Sequence, residues 1–182
     1  LLKQRGFDIS GLDIDPERQI GFIDTTGLDI RKCNIETEPI PFDGHQFYYI
    51  IFNEIFEHLR INPIDTLRKL RGSLHPEGVM VLSTPNLYRV RNVVNLIRGR
   101  GFDDPFDEFS KLEKIGHMGH VRESPPAQVR RFLRNTGFEI IRTELISHEP
   151  LRGLWRIFSP ITFLFPFFRD YQIHYCRPAE SA

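Results

Sequence analysis

Cysteine is scarce in this sequence of 182 residues: Cys33 and Cys176 are the two, far apart and in no metal-type spacing. That excludes a disulfide framework or a thiolate zinc cluster and reads as free thiols in a reducing cytoplasm. Net charge is lacking too. Lysine plus arginine number 24, as do aspartate plus glutamate, so no global field recruits nucleic acid. No stretch approaches the roughly twenty apolar residues a membrane-crossing helix needs. The charge-free, phenylalanine-rich run Ile157 to Phe168 is shorter and is broken by Pro160 and Pro166. No G-x-G-x-x-G follows a strand-like run, which removes the fingerprint of a nicotinamide dehydrogenase. The chain opens Leu1-Leu-Lys-Gln-Arg-Gly6, with neither the apolar region nor the cleavage site of a signal peptide. This opening reads as the end of a helix cut mid-element. No internal repeat or low-complexity tract stands out.

What is present is an alternation of strand-like and helix-like segments. Gly6 ends the opening helix, and Phe7 to Ile14 reads as a strand with Asp13 near its carboxyl end. Pro16 suits the first turn of a helix reaching about Thr26 and ending at Gly27. Leu28 to Ile35 alternates apolar and polar residues as a strand does. Phe47 to Phe52 reads as a buried strand, followed by a helix that carries Glu57 and His58 toward Arg71. Gly72 to Gly78 reads as a turn and Val79 to Ser83 as a strand. Residues 85–123 are irregular, with a helix possible over Tyr88 to Ile97. A helix from Ser124 to Asn135, a strand from Phe138 to Ser147 and a last strand at Tyr171 to Cys176 complete the pattern. Such alternation predicts one α/β domain over 1–182, with a mainly parallel sheet covered by helices on both faces.

Chemistry gathers where the strands end, which is where open α/β sheets place ligands. In Gly11-Leu-Asp-Ile-Asp15, Asp15 before Pro16 suits a helix N-cap and leaves Asp13 to accept hydrogen bonds from a ribose. Asn53 and Glu54 follow the apolar strand, and Glu54, Glu57 and His58 share a face if a helix starts there. Beyond lie Ser83-Thr-Pro-Asn86 and Gly116-His-Met-Gly-His-Val-Arg122. The arginines at 89, 91, 98 and 100 suit an anionic substrate or a solvated helix face.

In order and spacing these segments resemble class I S-adenosylmethionine-dependent methyltransferases of the type 11 and type 12 kind. The likeness runs from the family's second strand to its last. Gly11-Leu-Asp13 resembles its ribose-binding motif. Cys33-Asn-Ile-Glu36 with Pro39-Ile-Pro-Phe42 resembles its adenine-binding stretch, with Asn34 where aspartate is commoner. Ser83-Thr-Pro-Asn86, His120-Val-Arg122 and Asn135-Thr-Gly137 resemble a layout found in methyltransferases of glycan and lipid-linked sugar assembly. The family's glycine-rich first motif is not in the chain, which implies truncation at the amino end. The aspartate that commonly enters the fourth strand is Tyr48 here.

The resemblance implies a Rossmann-like sheet lacking its first strand, with 7–14 and 47–52 flanking that position. It implies S-adenosyl-L-methionine as cofactor, bound by Asp13, Asn34 and Ile35 at the nucleoside and by Asn53 and Glu54 at the methionine. Residues 85–123 become a substrate lid. His120 is the first candidate base and His58 the second, acting on a small-molecule, glycan or lipid-linked hydroxyl. Two alternatives stay open. The chain is a non-catalytic, truncated relative, or it is a metal-assisted O-methyltransferase acting on an RNA 3′ end or a quinol. In the latter, Glu54, Glu57, His58 and His120 hold Mg²⁺, Mn²⁺ or Zn²⁺, with His117 a poorer candidate. Trp155 among Arg152, Arg156 and Arg169 adds a possible peripheral membrane contact over 155–168 to an otherwise cytoplasmic protein.

Overall fold

The computed structural model describes residues 2–42, 44–102, 105–115, 119–147 and 153–180. They divide into two compact units, Leu1–His45 and Gln46–Ala182.

In the first unit a 3₁₀ turn, Lys3–Arg5, stops at Gly6, whose φ of 84° is the left-handed value glycine tolerates. Strand β1 (Ser10–Asp13) runs parallel to β2 (Asp29–Lys32), with Asp13 opposite Lys32. Between them Pro16 opens a 3₁₀ turn that leads into helix α1 (Ile20–Thr26), closed by Gly27. A parallel pair needs such a crossover, and the helix supplies it. Both strands are shorter than their sequence runs predict, pairing only from Ser10 opposite Asp29 to Asp13 opposite Lys32.

The second unit holds a four-stranded sheet in the order β3-β4-β6-β5. Strand β3 (Phe47–Asn53) lies parallel to β4 (Leu74–Pro85), with Asn53 opposite Ser83. Strand β5 (Phe138–Ile146) turns back into β6 (Tyr171–Pro178), so Ile146 faces Tyr171 and the pair is antiparallel. The β6 strand is antiparallel to β4 as well, so this sheet is mixed rather than mainly parallel. Strands β1 and β3 sit in separate hydrogen-bonded sheets, each paired on one side among the described residues. Being an edge strand, β3 buries only Phe52 and leaves Tyr48, Tyr49 and Ile51 exposed, which corrects its reading as a buried strand.

Two helices cover the sheet. Helix α2 (Pro63–Ser73) starts where the Asn62 side chain accepts the Ile64 N–H at 3.1 Å, with Pro63 in the first turn. Helix α5 (Pro126–Asn135) ends before Gly137 at φ 88°. Leu67 and Leu70 of the first, and Val129 and Leu133 of the second, recur at helical spacing and are buried with Met80, Leu82 and Phe138 of the sheet. Each such side chain contributes about 1.5–3 kcal/mol on burial.

Three features depart from the sequence reading. The predicted helix to Arg71 is split into a short 3₁₀ turn, Phe56–His58, and α2, with residues 59–62 between them. Of the predicted turn 72–78, Gly72 and Ser73 end α2 and 74–78 join β4, whose pairing with β3 shifts register there; Tyr48 stacks on His75 at 4.2 Å. Residues 85–123 contain α3 (Val90–Ile97) and also α4 (Pro105–Ile115). Helix α6 (Ser159–Leu164) lies between 3₁₀ turns at Gly153–Phe158 and Pro166–Phe168.

Candidate active site

The second unit gathers its chemistry where β3 and β4 end. The chain leaves β3 through Glu54, the one non-glycine residue with positive φ (53°) among those described. This turn is held twice: the Glu54 N–H donates to Ser83 O at 3.0 Å, and the Ser83 hydroxyl donates to Glu54 Oε1 at 2.8 Å. A left-handed glutamate is a strained conformation kept by its surroundings, and such residues concentrate at functional sites. Asn53 and Glu54 remain exposed.

Three residues on, Glu57 is completely buried. Thr84 donates to its Oε2 at 2.9 Å, while Oε1 has no hydrogen-bond partner. Burial raises the Glu57 carboxyl above its ordinary value, and a backbone hydrogen bond and the Thr84 hydroxyl offset only part of that. The Glu57 carbonyl accepts the N–H groups of Val121 and Arg122 at 2.9 and 3.2 Å, which ties the 119–124 segment to this turn.

That tie brings two imidazoles to Glu57. His58 Nε2 and His120 Nε2 each lie 3.9 Å from Glu57 Oε1, and the two rings meet edge to face with centroids 5.1 Å apart. Each ring is oriented through its other nitrogen. His58 Nδ1 lies 2.9 Å from the Gly119 carbonyl, and His120 Nδ1 lies 3.3 Å from Glu123 Oε1. A carbonyl and a carboxylate accept, so Nδ1 carries the proton and, in the neutral ring, Nε2 carries the lone pair. Glu123 is itself held by Arg89 Nη2 and by Asn92 Nδ2, the latter at 2.6 Å. Burial alone would raise Glu123, but His120, Arg89 and Asn92 outweigh it and keep the carboxyl below its ordinary value.

The structure thus unites Glu57, His58 and His120, whose ligating atoms lie within 4.8 Å of one another. Glu54, bonded to Ser83, is not in that group, because it precedes the 3₁₀ turn rather than sharing a helical face with Glu57. His117 and Arg152 lie outside the described residues. Glu123, Thr84 and Gly119 were not legible as site residues; the His120-x-x-Glu123 spacing was the available signal. Asn86 is structural: its amide donates to the carbonyls of Phe167 and Arg169, both at 2.8 Å.

In the first unit, Asp13 and Asn34 stand at the carboxyl ends of neighbouring parallel strands, linked by the Cys33 N–H to Asp13 O bond of 2.9 Å. Asp15 holds the N-cap position of the following turn without a side-chain cap bond, its carboxylate being paired with Arg18, while the Asp13 carboxylate accepts the Asp15 N–H at 2.7 Å. Asn34 Oδ1 accepts the Glu36 N–H at 3.1 Å, an Asx-turn that fixes the loop carrying Ile35. Carboxylate and amide acceptors at this place suit ribose hydroxyls and an adenine amino group.

A family model described as a methyltransferase domain matches residues 1–143. No curated protein matches by sequence. Among solved structures, the CcbJ methyltransferase from Streptomyces caelestis is similar at 14% identity, with 98% of this chain and 78% of that one covered and a TM-score of 0.62. An S-adenosylmethionine dependent methyltransferase from Mesorhizobium loti is 15% identical over 92% of this chain and 79% of that chain, TM-score 0.60. The N-methyltransferase NodS from Bradyrhizobium japonicum, solved with S-adenosyl-L-homocysteine, is 11% identical, covers 94% and 66%, and has a TM-score of 0.54.

Proposed function

We propose that this chain, which belongs to the methyltransferase-domain family, uses S-adenosyl-L-methionine as its cofactor and methylates an oxygen of a small-molecule, glycan or lipid-linked acceptor. When bound, the cofactor supplies a methyl group already activated by positive sulfur. The protein's share is therefore alignment, desolvation and removal of the hydroxyl proton. We assign the nucleoside to Asp13, Asn34 and Ile35 and the methionine end to Asn53 and Glu54. His120 takes the proton at Nε2, and Glu123 at Nδ1 stabilises the imidazolium that results. His58 is the second base, oriented by Gly119. Residues 85–123 act as the substrate lid.

The observation that carries this reading is the oriented pair of imidazoles around the buried Glu57, built from β3, β4 and the 119–124 segment. The test is turnover with a panel of hydroxylated acceptors. Loss of turnover with retained cofactor binding in His120→Ala supports the base, and full turnover removes it.

A second reading rests on the orphaned Glu57 Oε1. Two imidazoles whose Nδ1 atoms meet a carbonyl and a carboxylate, facing a buried carboxylate oxygen, match the donor set of a divalent cation with its outer partners in place. Glu57, His58 and His120 would hold Zn²⁺ or Mn²⁺, which accept mixed nitrogen and oxygen ligands. The acceptor would then be a quinol or an RNA end, and zero net charge disfavours the RNA end. Chelator-insensitive turnover ends this reading.

A peripheral membrane contact belongs to the same proposal. Ile157, Phe163, Leu164, Phe165 and Phe167 are exposed beside Arg156, and no acid lies between 153 and 169. Among the described residues no helix is long and apolar enough to cross a membrane.

A further inference from the structure

Between α3 and α4 lies a cavity of about 550 Å³. Its walls carry four cations, Arg89, Arg91, Lys111 and Lys114, against two acids, Asp107 and Glu108. Arg89 is committed to Glu123 and Asn92, and Lys111 to Glu108. Arg91 and Lys114 remain against Asp107, so the cavity holds an excess of positive charge. Asn95 and Ser110 add neutral donors, and Phe102 and Phe106 supply apolar wall, Phe106 being 78% exposed. Cations and neutral donors facing an aromatic wall fit an anion carried on an apolar body.

The cavity adjoins the imidazole pair by two routes. Arg89 is ion-paired to Glu123, which orients His120. Glu108 packs so closely on Gly119 that any side chain at 119 would collide with its carboxyl, and the Gly119 carbonyl orients His58. A molecule seated between α3 and α4 is thus linked to each imidazole through two residues, Arg89 and Glu123 on one route and Glu108 and Gly119 on the other.

We propose that this cavity seats the methyl acceptor through an anionic group, a phosphoryl or a carboxylate, borne on an aromatic or aliphatic body. The inference rests on the methyl-transfer reading and deepens it by naming the acceptor's class. Arg91 and Lys114 hold the anion, Phe102 and Phe106 the apolar part, and the hydroxyl to be methylated extends toward His58 and His120.

The test is calorimetric titration at low salt with phenyl phosphate, benzoate, inorganic phosphate and benzyl alcohol as probes. Phenyl phosphate or benzoate should bind at least ten times more tightly than benzyl alcohol, and the stronger of the two identifies the anion. The R91A/K114A double variant should lose that binding tenfold or more, and R91K/K114R should restore it. Both residues are exposed, and a circular dichroism melt checks that the fold persists. Phe106→Ala should weaken phenyl phosphate without changing inorganic phosphate. Equal binding of benzyl alcohol, absence of binding by either organic anion, or unchanged affinity in R91A/K114A overturns the proposal. S-adenosylmethionine is titrated into the same samples. Cofactor binding without anion binding sinks the cavity alone, whereas anion binding without cofactor binding sinks the methyl-transfer reading.

Discussion

Glu57 Oε1 and His120 Nε2 face each other across 3.9 Å, a fully buried carboxylate oxygen without a hydrogen bond against an imidazole oriented from behind by Glu123. If His120 is the base, His120→Ala should leave cofactor affinity unchanged and lower turnover ~10²–10⁴-fold. His58→Ala should lower it less, since a carbonyl stabilises an imidazolium less than a carboxylate does. Parallel calorimetry and steady-state kinetics check both; equal loss of binding and turnover would make the pair structural.

Cofactor recognition gives a second expectation. Asp13→Ala should weaken S-adenosylmethionine binding by about 1–3 kcal/mol, the cost of unpairing hydrogen bonds to a charged acceptor. The variant also loses the acceptor of the Asp15 N–H, so its melting temperature is read alongside. Unchanged affinity by calorimetry takes Asp13 out of the site.

The parts of the fold that sequence made legible are those where pattern and punctuation agree. Gly6, Gly27 and Gly137 each close a helical turn in the left-handed conformation, and the apolar runs at 47–52 and 138–147 are strands. The helix over 105–115 was not legible because its exposed phenylalanines, Phe106 and Phe109, face outward and give no core-facing stripe. His58 and His120 were legible as partners through motif order. Glu123 was not, because its role comes from Arg89 and Asn92, more than thirty positions earlier, and only folding brings them together. In the phenylalanine-rich run 157–168, Pro160 and Pro166 stand at the starts of the short helix α6 and of a 3₁₀ turn, as their helix-breaking character predicts.

Glu123 ties the 119–124 segment to Arg89 and to Asn92 of α3, and its removal should show in stability. Asn92 is fully buried and Arg89 largely so, and both would lose their acceptor. Breaking a buried, hydrogen-bonded ion pair from one side costs about 3–5 kcal/mol. Glu123→Ala should therefore lower the unfolding free energy by that amount in urea denaturation. A loss under about 1 kcal/mol would place the pair among solvent-screened ones.

The last expectation concerns acid stability and lies in the sheet, away from the site. His174 on β6 is fully buried, with Nε2 2.9 Å from Gln172 Oε1 and Nδ1 3.0 Å from the Thr143 hydroxyl. Gln172 Oε1 only accepts, so Nε2 carries the proton and Nδ1 accepts from Thr143: the neutral ring is satisfied. Burial, reinforced by the charge of Arg130, lowers its pKa from 6.5 to about 4. The sign follows from which state takes the proton first. Above pH 6.5 the ring is neutral in both states and its packing is fully available. As pH falls below 6.5 the unfolded chain protonates while the folded ring does not, and stability is lost until about pH 4, where the folded ring protonates too. Between pH 7 and pH 5 this amounts to about 2 kcal/mol. His174→Leu removes the titration while losing two hydrogen bonds, so it should be less stable at pH 7 yet less sensitive to acid. Urea denaturation of both proteins at the two pH values measures the difference in slope. Equal slopes would mean that the sheet admits a charged His174, and that the Gln172 amide, which donates to Pro85 O and Ser124 O at the strand end, tolerates it.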